Sequence, residues 1–334
     1  MLRFGVIGFG YWGPNIVRNL MGIKDVAVKN ICDHDPAAFK KANSLYRFVN
    51  VSRDPKSILK AKDIDAVAII TPVSTHFQLA KQALENGKHV FVEKPFTTTT
   101  QEAETLIQLA EKKKLKIMVD HVFLFTGSVR KIKELISKDT FGDLYYYDSL
   151  RANLGLFRPD VNVIWDLATH DFSIIDYVIK SKPLSISAQG VDHMGRGREN
   201  IAYITIYFDN KLIAHISVNW LSPVKIRTTL IGGQRKMLVW DDLQSDEKIK
   251  VYDKGVSVKD KEGSYRVLVD YRSGDMWSPR VDPTEALKIG LEYFVDCIRK
   301  NTTPISDGKA GLRVVQMLQA ANKSLKAKGK LVKL

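Results

Sequence analysis

FGVIGFGYWGPN, residues Phe4 to Asn15, runs a short apolar stretch into Gly8, Gly10 and Gly13 at GxGxxG spacing and then into a helical pattern. The three glycines have separable tasks. Gly8 permits the tight turn, Gly10 lets the backbone approach a pyrophosphate, and Gly13 lets the helix pack closely on its strand. Pro14 stands at the helix start, where proline is tolerated, and Ile16, Val17, Leu20 and Met21 form one stripe ending near Gly22. A second apolar strand, Val26 to Cys32, ends in Asp33, 20 residues beyond Gly13. That is the distance at which a carboxylate takes the ribose hydroxyls. Strand, glycine turn, helix, strand and acid together predict a dinucleotide site. A carboxylate there accepts from a ribose 2′-OH and repels a 2′-phosphate, so NAD is favoured over NADP.

Working outward, strands and helices alternate through residue 120 with short connectors, which predicts a doubly wound parallel sheet with right-handed crossovers. Helix starts are marked by Asp35-Pro36 and Asp54-Pro55, and by Thr99 with Glu102 as a capping box. The strands end in Gly8, Asp33, Thr71-Pro72, Glu93-Lys94-Pro95 and Asp120-His121. Ligands of such sheets lie outside the carboxyl ends of the strands, so these polar residues are expected around one crevice.

After Phe125 the alternation stops. A helix is expected near 129–138 and a strand over Leu144 to Asn153. Period-two patterning follows from Ile201 to Trp220 with a turn at Asp209-Asn210, then at Lys225 to Ile231, Lys236 to Trp240 and Ile249 to Tyr252, with Gly232-Gly233 as a hairpin signal. Residues 260–283 read as a polar loop in which Tyr271, Met276 and Trp277 either close over substrate or pack on the sheet edge. Two helices, at about 283–300 and 310–327, complete the chain. The fold class is therefore α/β: a Rossmann domain over 1–121 that binds NAD, and an α+β domain over 122–334 with a largely antiparallel open sheet. The second domain is expected to bind substrate, and its uncovered apolar face to build a homodimer or homotetramer.

GFGYWG at the first turn, TPVSTH at Thr71 to His76, VEKP at Val92 to Pro95 and DLATHD at Asp166 to Asp171 together resemble the Gfo/Idh/MocA family over essentially the whole chain. The resemblance implies a nicotinamide-dependent oxidoreductase of sugars, cyclitols or sugar nucleotides. It makes Lys94 the active-site lysine, with Asp166 and His170 as partner acid and acid/base. It lays Phe9, Tyr11, Trp12, Thr71, Pro72, His76 and Glu93 along the cofactor beside the glycines and Asp33, puts His121 near the nicotinamide end, and implies a cis Lys94-Pro95 bond. NLGLFRPDVNVIWDLATHD is similar to the nucleotide-sugar branch, the UDP-N-acetylglucosamine 3-dehydrogenase type, and adds Asn153, Arg158 and Trp165 as substrate contacts. Where many members carry a glycine run, this chain has Val163, Ile164 and Trp165, expected to wall a different pocket. On residues alone, Asp166 reads first as a helix cap and His170 as a surface histidine, although the two share a helical face four residues apart; it is the Glu93-Lys94-Pro95 segment, also present in the chain, that turns the reading to acid/base. The alternatives are a free sugar or inositol-type substrate, or a non-catalytic NAD sensor that has no need of Lys94 with His170.

Composition narrows the classes. The 334 residues are 45% apolar and 26% charged, as in a globular protein with more than one core. The formal charge of +14 is spread over helix ends and the tail, with no helix-turn-helix or RNP-like pattern, so no nucleic-acid partner is expected. The chain opens directly on a core strand and has no membrane-length apolar run, so a cytoplasmic protein without a membrane partner is expected. Cys32 and Cys297 read as packing residues, and the seven histidines show no ligand spacing, so no metal is expected.

Overall fold

Six strands, β1 (Leu2–Ile7), β2 (Val26–Cys32), β3 (Asn50–Ser52), β4 (Ala66–Ile69), β5 (His89–Glu93) and β6 (Ile117–Asp120), form a parallel sheet in the order β3-β2-β1-β4-β5-β6. The order reverses at β1 and β4, the topological switch point of a doubly wound sheet. β4 is buried along its whole length, as a strand covered on both faces should be. The protein is described by a computed structural model that covers residues 1–138, 140–155, 157–158, 160–259 and 268–334.

The crossovers are α1 (Gly13–Met21), α2 (Pro36–Leu45), α3 (Lys56–Leu59), α4 (Val73–Glu85) and α5 (Thr100–Lys113). In α1, Ile16, Val17 and Leu20 are fully buried; Met21 is exposed because the helix ends there and Gly22 caps it. Asp35 accepts the Ala37 N–H at 3.1 Å to start α2, and Thr99 and Glu102 make the reciprocal capping box of α5, so N–H groups with no partner inside the helix are satisfied locally. Ile7, Val67, Ile69, Val90, Val92, Leu106 and Val119 belong to one apolar core.

The second sheet has nine strands. They are β7 (Leu144–Leu154), β8 (Pro183–Val191), β9 (Ile201–Phe208), β10 (Ile213–Asn219), β11 (Leu221–Gly233), β12 (Met237–Asp241), β13 (Ile249–Lys259), β14 (Leu268–Trp277) and β15 (Val332–Lys333), in the order β14-β13-β12-β11-β7-β10-β9-β8-β15. β7 and β10 pair in parallel and all other neighbours are antiparallel. Ala202, Ile204, Ile206 and Phe208 of β9 and Ala214, Ile216 and Val218 of β10 are buried, as the period-two pattern predicts. The helices here are α6 (Gly127–Ile136) and α7 (Thr169–Val178).

The expected loop at 260–283 is corrected over 268–277, which is strand β14. Met276 and Trp277 pair with Tyr252 and Val251 and stay partly exposed at the sheet edge, so the edge-packing alternative holds for them. An edge strand rich in Asp, Arg and Ser lacks the apolar alternation that marks an inner one. The Tyr271 side chain and residues 260–267 lie outside the described residues. α8 (Ala286–Lys300) and α9 (Gly308–Lys326) close the chain. By packing, Met1–Phe125 with Thr284–Gln316 forms one unit and Thr126–Pro283 with Met317–Leu334 the other. Residues 284–316 thus return to the first unit, which a division at 121 and 122 does not foresee.

Candidate active site

In the first unit the glycines separate by what a side chain would meet. Gly8 has φ +100° and an added Cβ would stand 2.2 Å from the Ile70 carbonyl oxygen; at Gly13 it would stand 2.5 Å from that of Gly8. Both glycines are required by the chain's own backbone. At Gly10 an added Cβ meets nothing within 4 Å, so that side of the turn is open space next to the uncapped N–H groups of α1. An open cradle at a helix N-terminus fits a pyrophosphate. Asp33 accepts the Phe9 N–H at 2.6 Å and the Asp35 N–H at 2.9 Å, which fixes its carboxylate against the glycine turn while leaving lone pairs for a ribose. The Phe9 ring is buried edge-on to Tyr46, so only its backbone belongs to the turn surface. Tyr11 is 90% exposed and stacked on Trp12, whose indole Nε1–H is donated to Asp120 at 3.2 Å.

At the ends of β4 and β5, His76 is wholly buried. Its Nδ1 lies 2.9 Å from the Pro95 carbonyl oxygen and its Nε2 2.8 Å from that of Thr71. Its ring therefore braces the loop after β4 to the loop carrying Lys94. The Thr71 and Thr75 hydroxyls are 2.6 Å apart, Pro72 precedes the first turn of α4, and Lys94-Pro95 is cis. Glu93 stands opposite Asp120 in the β5–β6 register. Burial pushes the Asp120 acid up to about 6 against the lowering effects of Trp12, Glu93 and the Lys94 charge. Burial, with Lys94 acting in the same direction, pushes His121 down to about 3, and neither of its ring nitrogens has a partner among the described residues. Its imidazole is accordingly neutral at physiological pH.

In the second unit Asp166 lies in a π-helical turn, Ile164–Ala168, that feeds α7, and His170 lies in the first turn of α7. The single helix expected to carry both changes pitch between them, because a π-turn holds more residues than an α-turn. Val163, not Asp166, stands at the helix start. The Asp166 carboxylate instead accepts Trp220 Nε1–H at 3.2 Å and has Arg158 Nε at 3.7 Å. Trp220 packs edge-on to Phe157. Asn153 is half-buried near the end of β7, and Arg158 is exposed. Trp165 is buried, with an unpartnered Nε1 among the described residues. Val163 and Ile164 are fully buried, so the wall expected of them is corrected: they are core residues.

Next to His170, Asp171 is fully buried and accepts from three alternate residues of β7: Tyr147 Oη at 3.3 Å, Ser149 Oγ at 2.7 Å and Arg151 Nε at 2.6 Å. Burial and the Asp171 charge push the Tyr147 phenol well above its usual range. Asp120, Trp220 and this cluster escaped the sequence reading as functional partners, since each contact joins residues far apart in sequence; only the strand-end position of Asp120 hinted at a role. Among the described residues no group of three His, Cys, Asp or Glu could hold a metal ion, and no helix is long and apolar enough to cross a membrane.

Residues 2–121 match the family model described as oxidoreductase family, NAD-binding Rossmann fold, and residues 129–238 match the GFO/IDH/MocA C-terminal domain. The chain is 25% identical over 323 residues to UDP-N-acetylglucosamine 3-dehydrogenase of Acidithiobacillus ferrooxidans, covering 94% of each. It is 25% identical over 325 residues to scyllo-inositol 2-dehydrogenase (NAD(+)) of Bacillus subtilis, covering 91% of this chain and 88% of that one. Two solved structures share the fold. The A. ferrooxidans enzyme has a TM-score of 0.81 at 24% identity over 98% of both chains, and an Agrobacterium radiobacter oxidoreductase in complex with NAD+, L-tartaric acid and magnesium has 0.82 at 17%, covering 99% and 98%.

Proposed function

The chain belongs to the Gfo/Idh/MocA family of oxidoreductases, and from that premise we propose that it is an NAD-dependent dehydrogenase of a secondary sugar hydroxyl, with a nucleotide sugar as substrate. The observation that carries this reading is the carboxyl edge of the parallel sheet, where the open cradle at Gly10 and the fixed Asp33 carboxylate lie on the strands next to those leading to Thr71, Lys94 and His121. Asp33 supports NAD over NADP by repelling a 2′-phosphate. The similarity to a UDP-N-acetylglucosamine dehydrogenase over 94% of both chains, together with the charge of +14, supports a diphosphate-bearing sugar.

In this proposal the first unit holds the cofactor with Gly8, Gly10, Gly13, Asp33, the Thr71-Pro72 loop and His121. The second supplies the substrate contacts Asn153, Arg158, Trp165, Asp166 and His170. The nicotinamide, when bound, supplies the hydride acceptor. Lys94 hydrogen-bonds the carbinol oxygen and stabilises the charge that develops on it. His170 takes the hydroxyl proton, with Asp166, held by Trp220, as its partner acid. Cys32 and Cys297, buried and unbridged, support a reducing compartment such as the cytoplasm.

The test is absorbance at the reduced-nicotinamide band with NAD and UDP-N-acetylhexosamines, their uronic acids, free hexoses and inositols. A rise with a nucleotide sugar alone is expected. A rise only with an inositol or free hexose transfers the activity to that class, and NAD binding without any rise favours the sensor. Lys94→Ala should lower turnover at least about a hundredfold while NAD still binds, as a residue stabilising the reacting oxygen would; near-normal turnover removes it from the mechanism.

A further inference from the structure

Glu93 and Asp120 end neighbouring parallel strands at matched register, so their side chains leave the sheet on the same face, one strand apart. A carboxylate only accepts hydrogen bonds, so two carboxyl groups bond to one another only when one of them carries a proton. Asp120 is 4% exposed, and two adjacent negative charges without water are the costliest arrangement such a place can hold. Its Oδ2 also accepts the indole N–H of Trp12, from the glycine turn at the start of α1.

We propose that Glu93 and Asp120 share a single proton and together form a positioning unit that balances the charge of Lys94 and links it, through Trp12, to the glycine turn. Trp12 comes from the turn before α1, and Glu93 and Lys94 come from the end of β5. Next in the chain, His121 is neutral and adds no charge. With one proton, the pair presents one negative charge to the one positive charge of Lys94. With none it presents two, and with both it presents no charge. Coupled acids titrate as a pair, so the first proton leaves at a macroscopic step belonging to both residues. Burial pushes Asp120 up, to about 6, which favours a proton kept on the pair.

The inference extends the proposed activity, resting on it only where Lys94 is called functional, and its test needs no turnover. Infrared difference spectra of the full-length protein at about pH 7, above ordinary carboxyl pKa values, should show the carbonyl band of a protonated carboxyl group that shifts in D2O. The band should vanish in Asp120→Asn, which keeps the shape, and in Glu93→Gln. Tryptophan emission should titrate in the wild type near pH about 6, with that step lost in both Asp120→Asn and Trp12→Phe. The proposal is overturned by a wild-type spectrum with no such band, by a band unchanged in Asp120→Asn, or by an emission step that survives that substitution. A protein that shows the band and the step yet oxidises no sugar refutes the proposed activity and leaves the shared proton standing.

Discussion

At Gly8 and Gly10 the same substitution should do opposite things. Gly8→Ala forces a side chain onto a left-handed residue and into the Ile70 carbonyl, so it should cost about 1–3 kcal/mol in thermal unfolding. Gly10→Ala meets open space in the free protein, so its stability should change by less than about 0.5 kcal/mol, the usual bound for substitutions away from packed or strained sites. NAD affinity should nonetheless fall about tenfold or more, equivalent to about 1.4 kcal/mol, because the methyl group occupies the space left for the pyrophosphate. Calorimetry and an NAD titration of both variants check this; equal NAD affinity in Gly10→Ala and the wild type would show that the cradle holds something else.

Among the elements, β7 and α7 show why part of the site was hidden. Tyr147, Ser149 and Arg151 alternate along β7 and therefore face the same way, toward Asp171 of α7, about twenty residues further along the chain. That cluster fixes the first turn of α7, and with it the neighbour His170. Asp171→Asn removes the buried carboxylate that Arg151 Nε donates to at 2.6 Å and should cost about 3–5 kcal/mol in urea unfolding; a loss below about 1 kcal/mol would show that the pair is only a polar filler. The glycine turn, the Asp35 cap and the Thr99–Glu102 capping box were legible because each is a local rule, complete within a turn. Trp12 with Asp120, 108 residues apart, and Trp220 with Asp166, 54 apart, obey no local spacing. β14 was missed for a different reason, since a polar edge strand and a loop share a composition. The π-turn at Ile164–Ala168 was not legible either, because no pattern of apolar residues announces it.

In the second sheet, one face carries exposed apolar side chains among the described residues. Tyr203 and Tyr207 of β9, Ile213 and His215 of β10 and Leu230 of β11 are exposed on the side opposite the buried Ile204, Ile206, Ala214 and Ile216, with Tyr207 and Ile213 directly paired. We propose that a second copy covers this face, because an apolar patch of this kind is seldom left to water. Tyr207→Lys with Ile213→Lys should then lower the mass seen by light scattering to that of one chain; an unchanged oligomer would locate the contact elsewhere. The discontinuous first unit bears on biosynthesis. Phe294 of α8 packs on both Phe4 of β1 and Phe91 of β5, with ring centroids 6.3 Å and 5.8 Å away. A ribosome that has released only the first 125 residues therefore presents a dinucleotide sheet with two bare aromatic rings. The nascent chain must keep that surface from its neighbours until α8 has been made.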